Sequence, residues 1–299
     1  MKIFITGGTG FVGRSLCGLL EKNDHQLTVL TRHAGKRAGG SGRTYLVGDP
    51  LQPGDWQKEL ASHQVIINLA GASIFCRWTA ANKKRISDSR ILTTRNLVAP
   101  LLEDKGVCSL LVSASGVGYY GIEDSGELSE DHLAGHDFFG NLARRWEEEA
   151  VRAESAKIRV ARCRFGVVIG PGGGAMSKML PAFRLGLGSP LGEGNQWFPW
   201  IHRDDLCRAI LHIINNDQLS GPFNFVAPQI PTNREFSKCL GRILHRPVWL
   251  PAIPAFFLRL ILGEMANVVL SGQQAVPRRL LESGFQFRHE TCESALGTL

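Results

Sequence analysis

The stretch "FITGGTGFVGRSL" (Phe4 to Leu16) sets Gly7, Gly8, Gly10 and Gly13 between a short apolar run and a helical pattern. It satisfies G-x-G-x-x-G counted from Gly8 and G-x-x-G-x-x-G counted from Gly7. Glycines at this spacing suit one backbone task. The chain must turn tightly, a pyrophosphate must approach bare main chain, and the helix must pack close to the strand. The start of the following helix then offers unpaired N–H groups and a partial positive charge to an anion. Directly behind a first strand and ahead of an amphipathic helix, the motif points to dinucleotide binding.

The rest of the chain agrees. "KIFITG", "QLTVLTR", "RTYLVG", "VIINLAG", "SLLVSAS", "RVARCRFGVVIG" and "PFNFVA" read as strands. "GFVGRSLCGLLEKN", "KKRISDSRILTTRNLVAPLLEDK" and "NLARRWEEEAVRAES" read as helices between them. Apolar strands alternating with helices predict an α/β fold, a doubly wound parallel sheet covered on both faces. The pattern changes at Pro171. Residues 171–199 hold seven glycines in 29 positions and read as a ligand-covering segment. "TNREFSKCLGRILHR" then opens a helix, with Thr232 as N-cap and Glu235 at capping-box spacing. The expected division is a nucleotide-binding domain over 1–170 and 200–227, with 171–199 and 228–299 forming a smaller substrate lobe.

Lys and Arg outnumber Asp and Glu by 34 to 27, a net charge of +7 that suits anionic ligands. The basic residues are spread along the chain, so nucleic acid is not an expected partner. Seven isolated cysteines without a C-x-x-C pair suggest reduced thiols and no zinc site. "VWLPAIPAFFLRLILGEMANVVL" (248–270) is interrupted by Pro251, Pro254, Arg259 and Glu264. It reads as a half-buried helix after a proline-rich turn, not as a membrane span. With "IFITGG" following Met1-Lys2 directly, no signal peptide is expected. A cytoplasmic protein with no membrane partner and a small-molecule substrate is the resulting expectation.

The end of the second strand bears on the choice of dinucleotide. NAD sites place an acid there for the ribose 2′-hydroxyl. This chain has Thr31 and Arg32, and the next carboxylate is Asp49. Hydroxyl and guanidinium donors suit a 2′-phosphate, which favours NADP (NADPH). The alternative is that Arg32, Lys36 and Arg37 form a solvated basic loop.

These segments, with "INLAGASI", "RWTAANKKRISDSRILTTRNL", "SASGVGYYG", "FFGNLARRWEEEA", "FPWIHRDDL" and "SGQQAVPRRLLESGFQF", resemble the extended and atypical short-chain dehydrogenase/reductases. They are most similar to the "epimerase family protein" group related to NAD-dependent epimerase/dehydratases. The resemblance spans nearly the whole chain. It implies that Gly7, Thr9, Gly10, Phe11, Val12 and Gly13 hold the pyrophosphate and that Thr31 and Arg32 take the 2′-phosphate. Asp49 would sit by the adenine, Leu69 and Ala70 would line the ribose and nicotinamide path, and Arg90 and Val168 would complete the cofactor cleft.

One expected element is missing. Most relatives use Tyr-x-x-x-Lys, in which the lysine cation helps the phenol exchange a proton with substrate. The three tyrosines, Tyr45, Tyr119 and Tyr120, have Asp49, Glu123 and Asp124 four residues on. Aligned on "W-E-E", Phe139 and Ala143 occupy the pair's positions and read as core packing. Ser115, Tyr119 and Tyr120 are the replacement candidates for acid chemistry. His202 reads as structural, and Arg77, Lys83 and Lys84 as substrate-binding or solvated charges. Two functions follow: an NADP(H)-dependent oxidoreductase or epimerase-like enzyme on a small carbonyl or hydroxyl compound, or a non-catalytic NADP(H)-binding sensor or partner-binding protein.

Overall fold

The computed structural model describes residues 1–33, 42–122 and 126–299. Its centre is a seven-stranded sheet. The strands are β1 (Lys2–Thr6), β2 (Gln26–Thr31), β3 (Arg43–Val47), β4 (Val65–Asn68), β5 (Leu110–Gly116), β7 (Arg159–Phe165) and β10 (Gly221–Phe225). Their order is β10-β7-β5-β4-β1-β2-β3, and every pair is parallel. The order reverses between β1 and β4, so a crevice opens beyond the carboxyl ends of the strands, where doubly wound sheets bind ligands.

Alternation along the strands makes the two-faced sheet. Ile3, Ile5, Val65, Ile67, Leu110 and Val112 point to one face. There they meet α1 (Phe11–Glu21) and α5 (Arg203–Ile214) through residues such as Leu16, Leu20, Leu206 and Ile210. Phe4, Ile66, Leu111 and Val160 point to the other face, against α2 (Ala80–Glu103) and α3 (Phe138–Val151), with Leu97, Leu101 and Ala150 between.

Two expectations change in detail. "RVARCRFGVVIG" is two strands rather than one. After Phe165 the chain leaves the main sheet, and β8 (Val167–Ile169) pairs with β9 (Trp200–His202). The exchange happens at Gly166, whose N–H still bonds Phe225 O while Val167 N–H bonds Pro199 O. A Cβ at Gly166 would lie 2.8 Å from Pro199 O, so glycine permits the switch. Residues 171–199 are also less irregular than expected, because they contain α4 (Met176–Arg184).

A further cluster joins these pieces to the C-terminal residues. Met176, Phe183 and Trp200 pack with Phe236 and Leu240 of α6 (Asn233–Ile243) and with Cys292, Ala295 and Leu296 of α10 (Cys292–Leu296). The Thr232–Glu235 capping box is present at the start of α6. The proline-rich turn leads to α7 (Ala255–Leu262), which ends at Gly263 and is followed by α8 (Ala266–Leu270). α9 (Arg278–Glu282) and the short parallel pair β6 (Glu127–Leu128) and β11 (Gln274–Ala275) complete the chain. All seven cysteines are free thiols. No described helix is long and apolar enough to cross a membrane.

Candidate active site

The first turn of α1 forms a main-chain cradle. Its N-cap is Gly10, no side chain caps it, and no acid lies in its first turn, so its leading N–H groups remain for an anion. Gly10 N–H bonds Gly7 O at 2.9 Å and closes the turn. Gly7 has φ +73°, and a Cβ there would stand 2.6 Å from the carbonyl carbon and oxygen of Leu69. A Cβ on Gly13 would stand 2.2 Å from Gly7 O. Neither position has room for a side chain, and the bare backbone they leave fits a pyrophosphate. The close approach also sets Leu69 and Ala70, both half-buried at the end of β4, beside the cradle.

Phe11 has a role beyond its main chain. A Cβ on Gly173 or Gly174 would lie 2.5 or 2.8 Å from its ring, and the Arg203 guanidinium sits 5.2 Å from the ring centroid. Arg203 Nη1 also donates to Pro171 O at 2.8 Å. The start of the glycine-rich segment is therefore clasped to the dinucleotide loop. The Val168 carbonyl lies 2.8 Å from where a Gly174 Cβ would be, which puts that half-buried residue at the same junction. Gly173, Gly174 and Arg203 escape notice in the sequence, where the glycine density of the segment marks only the first two.

At the tip of β2, Thr31 is buried and its hydroxyl lies 3.2 Å from His33 O, while Arg32 is exposed. Lys36 and Arg37 lie outside the described residues. Asp49 is exposed, with Oδ1 accepting from Leu51 N–H at 3.0 Å. Thr9 is half-buried, and its carbonyl accepts from Arg14 Nη1.

Arg90, on α2, sits behind the loop that follows β4. Nη1 donates to Ala72 O and Ile86 O at 3.1 Å each, and the guanidinium lies over Trp146 at 5.3 Å. It pairs with no carboxylate among the described residues. Burial alone pulls its pKa down to about 10. An anion placed here would relieve that cost.

The replacement acids are not equivalent. Ser115, at the end of β5, is buried and donates to Glu147 Oε1 at 2.8 Å. The Tyr120 hydroxyl is buried, donates to Asn224 Oδ1 at 2.7 Å and accepts from Arg164 Nη1 at 2.9 Å. Burial, partly offset by Arg164, pushes its pKa up to about 12. Both hydroxyls belong to one interior network centred on Glu147 and Arg164. Arg164 donates from Nε to Glu147 Oε1 (2.8 Å) and from Nη2 to Oε2 (3.0 Å), and Arg162 adds a contact of 3.3 Å. Burial works against the Arg164 charge, yet its bonds to Glu147 hold its pKa above the usual range. Glu130, whose pKa burial raises, lies at the edge and accepts from Asn224 N–H at 2.9 Å. Ser115 and Tyr120 are thus buried, with their hydroxyl protons directed at Glu147 and Asn224. Neither hydroxyl can give up its proton without first breaking that bond.

Tyr119 differs. It is half-buried on the turn after β5, its carbonyl accepts from Gly135 N–H, and its hydroxyl donates to nothing among the described residues. The Arg164 guanidinium lies 3.5 Å from its ring centroid. The helix positions usual for the catalytic pair hold Phe139, edge-on to Trp78 at 4.7 Å, and buried Ala143. Trp78, Phe138, Phe139, Leu142 and Met265 form an aromatic and aliphatic floor there. Lys83 lies over Phe138 and pairs with Glu264, which removes it as a free cation, and Lys84 pairs with Asp88 on the same helix. Arg77 packs against the position of Gly263. His202 is a helix cap. Its Nδ1 accepts from Asp204 N–H at 3.2 Å, and Nε2 lies 3.2 Å from Thr298 Oγ1. Burial, with His289 beside it, lowers its pKa to about 4.

Comparison with known proteins agrees with this geometry. A family model described as NAD dependent epimerase/dehydratase matches residues 3–225, and a domain of unknown function matches 253–299. An Arabidopsis thaliana protein named "Epimerase family protein SDR39U1 homolog, chloroplastic" is 38% identical over 99% of this chain and 86% of its own. "Epimerase family protein YfhF" of Bacillus subtilis is 37% identical over 100% of this chain and 98% of its own. The crystal structure of human epimerase family protein SDR39U1 with NADPH superimposes with a TM-score of 0.87 at 35% identity. It covers 99% of this chain and 98% of that one. The chain belongs to the NAD dependent epimerase/dehydratase family.

Proposed function

We propose that this protein is an NADP(H)-dependent oxidoreductase or epimerase-like enzyme on a small carbonyl or hydroxyl compound, with Tyr119 as its proton donor. The observation that carries the reading is the α1 cradle, where Gly7 and Gly13 leave room for main chain and ligand alone. The human relative crystallised with NADPH supports the same choice of cofactor, and Thr31-Arg32 at the β2 tip suits a 2′-phosphate.

When bound, the nicotinamide exchanges hydride with a carbon of the substrate. The residues of this chain do the rest. The α1 amides fix the pyrophosphate, and Leu69 and Ala70 guide the ribose. Arg90 supplies an uncompensated positive charge behind the cleft. Tyr119 gives its phenolic proton to the carbonyl oxygen during reduction and is reprotonated from solvent. Negative charge left on the phenol then lies against Arg164. Arg162 and Arg164 both bond the Glu147 carboxylate, with Glu130 at the edge of the network, and the Arg164 guanidinium is the cation stacked on the Tyr119 ring. That stacked guanidinium takes over the task a lysine performs in the usual pair. The substrate sits under residues 171–199, on the aromatic floor of Trp78 and Phe139.

The test is NADPH oxidation with a panel of aldehydes and ketones, wild type against Tyr119→Phe. Loss of a positioned acid lowers turnover by roughly 10²–10⁴ while cofactor affinity is kept. Tight NADPH binding with no turnover on any compound would favour the second reading, a non-catalytic NADP(H)-binding sensor or partner-binding protein. That reading draws on Phe139 and Ala143 filling the catalytic positions.

A further inference from the structure

The chain keeps one large apolar face in solvent. α7 turns Phe256, Phe257, Leu260 and Ile261 outward and buries only Leu258 well. The adjoining segments extend this face. Ile253 N–H bonds Pro190 O, Gly192 N–H bonds Ile253 O, and Arg246 Nε bonds Arg184 O at 3.0 Å, so residues 184–192 run beside 246–253. They bring Leu185 (75% exposed) and Trp249 (72%) to the surface that continues into α7, where Leu260 is 71% exposed. Scattered apolar side chains need no explanation, but a contiguous set of this size marks a contact surface.

The charges around the face select its occupant. Arg184, His245, Arg246 and Arg259 are all exposed along it, and Glu193 is the sole carboxylate in residues 184–193 and 242–261. A two-fold contact with a second copy would set the same arginine rim against itself. An anionic surface is complementary. A short helix with Phe, Leu and Ile on one side and Arg beside them, next to an exposed Trp, has the composition of an element lying in a lipid headgroup layer. With eight residues, α7 is too short to cross a bilayer.

We propose that α7, with the loops carrying Leu185 and Trp249, docks the protein on an anionic lipid surface. The inference is independent of the catalytic reading. It goes further than the sequence expectation, which excluded a membrane partner on the absence of a span.

The test is flotation of the full-length protein with vesicles of phosphatidylcholine alone and of phosphatidylcholine mixed with phosphatidylglycerol. Binding to the mixed vesicles should exceed that to neutral ones roughly tenfold and weaken as salt is raised. The double variant Phe256→Ser/Leu260→Ser should lose it, whereas Leu133→Ser, at a still more exposed position in a different segment, should not. Circular dichroism and thermal melts establish that the variants fold. No binding to the mixed vesicles at low salt overturns the proposal, as does binding that the double variant retains. Sedimentation velocity should find a monomer. A dimer that the double variant dissociates would make a second copy the occupant and also overturn it.

Discussion

Replacing Glu147 by Gln removes one charge from the most enclosed ion pair among the described residues. Glu147 and Arg164 are 4% and 2% exposed at their side chains, so solvent screening does little for either. Gln can offer its carbonyl oxygen to Ser115 Oγ and Arg164 Nε, both at 2.8 Å. Its amide nitrogen then faces Arg164 Nη2 and Arg162 Nη1, donor against donor. Breaking a buried pair in this way costs about 3–5 kcal/mol, because an uncompensated guanidinium stays inside. Counting two lost charge-assisted hydrogen bonds at about 1.5–3 kcal/mol each gives a similar range. Against a total stability of about 5–15 kcal/mol this is a large loss. Urea unfolding followed by far-UV circular dichroism measures it as a lower midpoint. The double variant Glu147→Gln/Arg164→Met should recover at least about 2 kcal/mol relative to additivity, since it removes the more deeply buried of the two cations that the single variant leaves unpaired. A single variant within about 0.5 kcal/mol of wild type would refute the reasoning, because that is the size of an ordinary surface change.

Three further outcomes follow from the geometry. Gly13→Ala should abolish NADPH binding and lower the melting temperature, because its methyl group would stand 2.2 Å from Gly7 O; calorimetric titration beside a thermal melt checks both. Arg32→Glu should weaken NADPH binding by roughly 10- to 100-fold while leaving NADH binding nearly unchanged, which titration with each cofactor reads directly. His202 has a folded pKa near 4 against 6.5, so a neutral ring is favoured in the folded state. Its stabilisation is complete above pH 6.5 and is lost as pH falls towards 4. His202→Asn keeps a capping side chain and should flatten the fall in urea midpoint across that window relative to wild type. His25 and His63, also shifted down, remain in both proteins.

The sheet was legible because its signals are local. Seven apolar runs, the glycine spacing at Gly7–Gly13 and the Thr232–Glu235 box each specify backbone geometry within a few residues. The strand exchange at Gly166 was not, since β-branched alternation continues through Phe165–Ile169 and only a glycine marks the place. The interior network was missed for a related reason. "WEEE" reads as a solvated face, yet Glu147 lies four residues after buried Ala143 and beside buried Trp146, on the inward side of α3. Arg162 and Arg164 inside a central strand were the other half of that signal. Two cations in the middle of a covered sheet require a carboxylate, and helical phase assigns it to Glu147. Once those partners are placed, the hydroxyl protons of Ser115 and Tyr120 are accounted for within the network. The exposed side of α7 was hidden too, because an apolar helix looks the same in sequence whether its outer face is covered or bare.

The central claim is that the first turn of α1 and the β2 tip together form an NADP(H) site. Isothermal titration of the purified wild-type protein with NADPH and with NADH tests it most directly. A one-to-one complex with NADPH is expected, with at least roughly tenfold weaker binding of NADH. Heat from neither dinucleotide in a folded sample, or tighter binding of NADH, would contradict it.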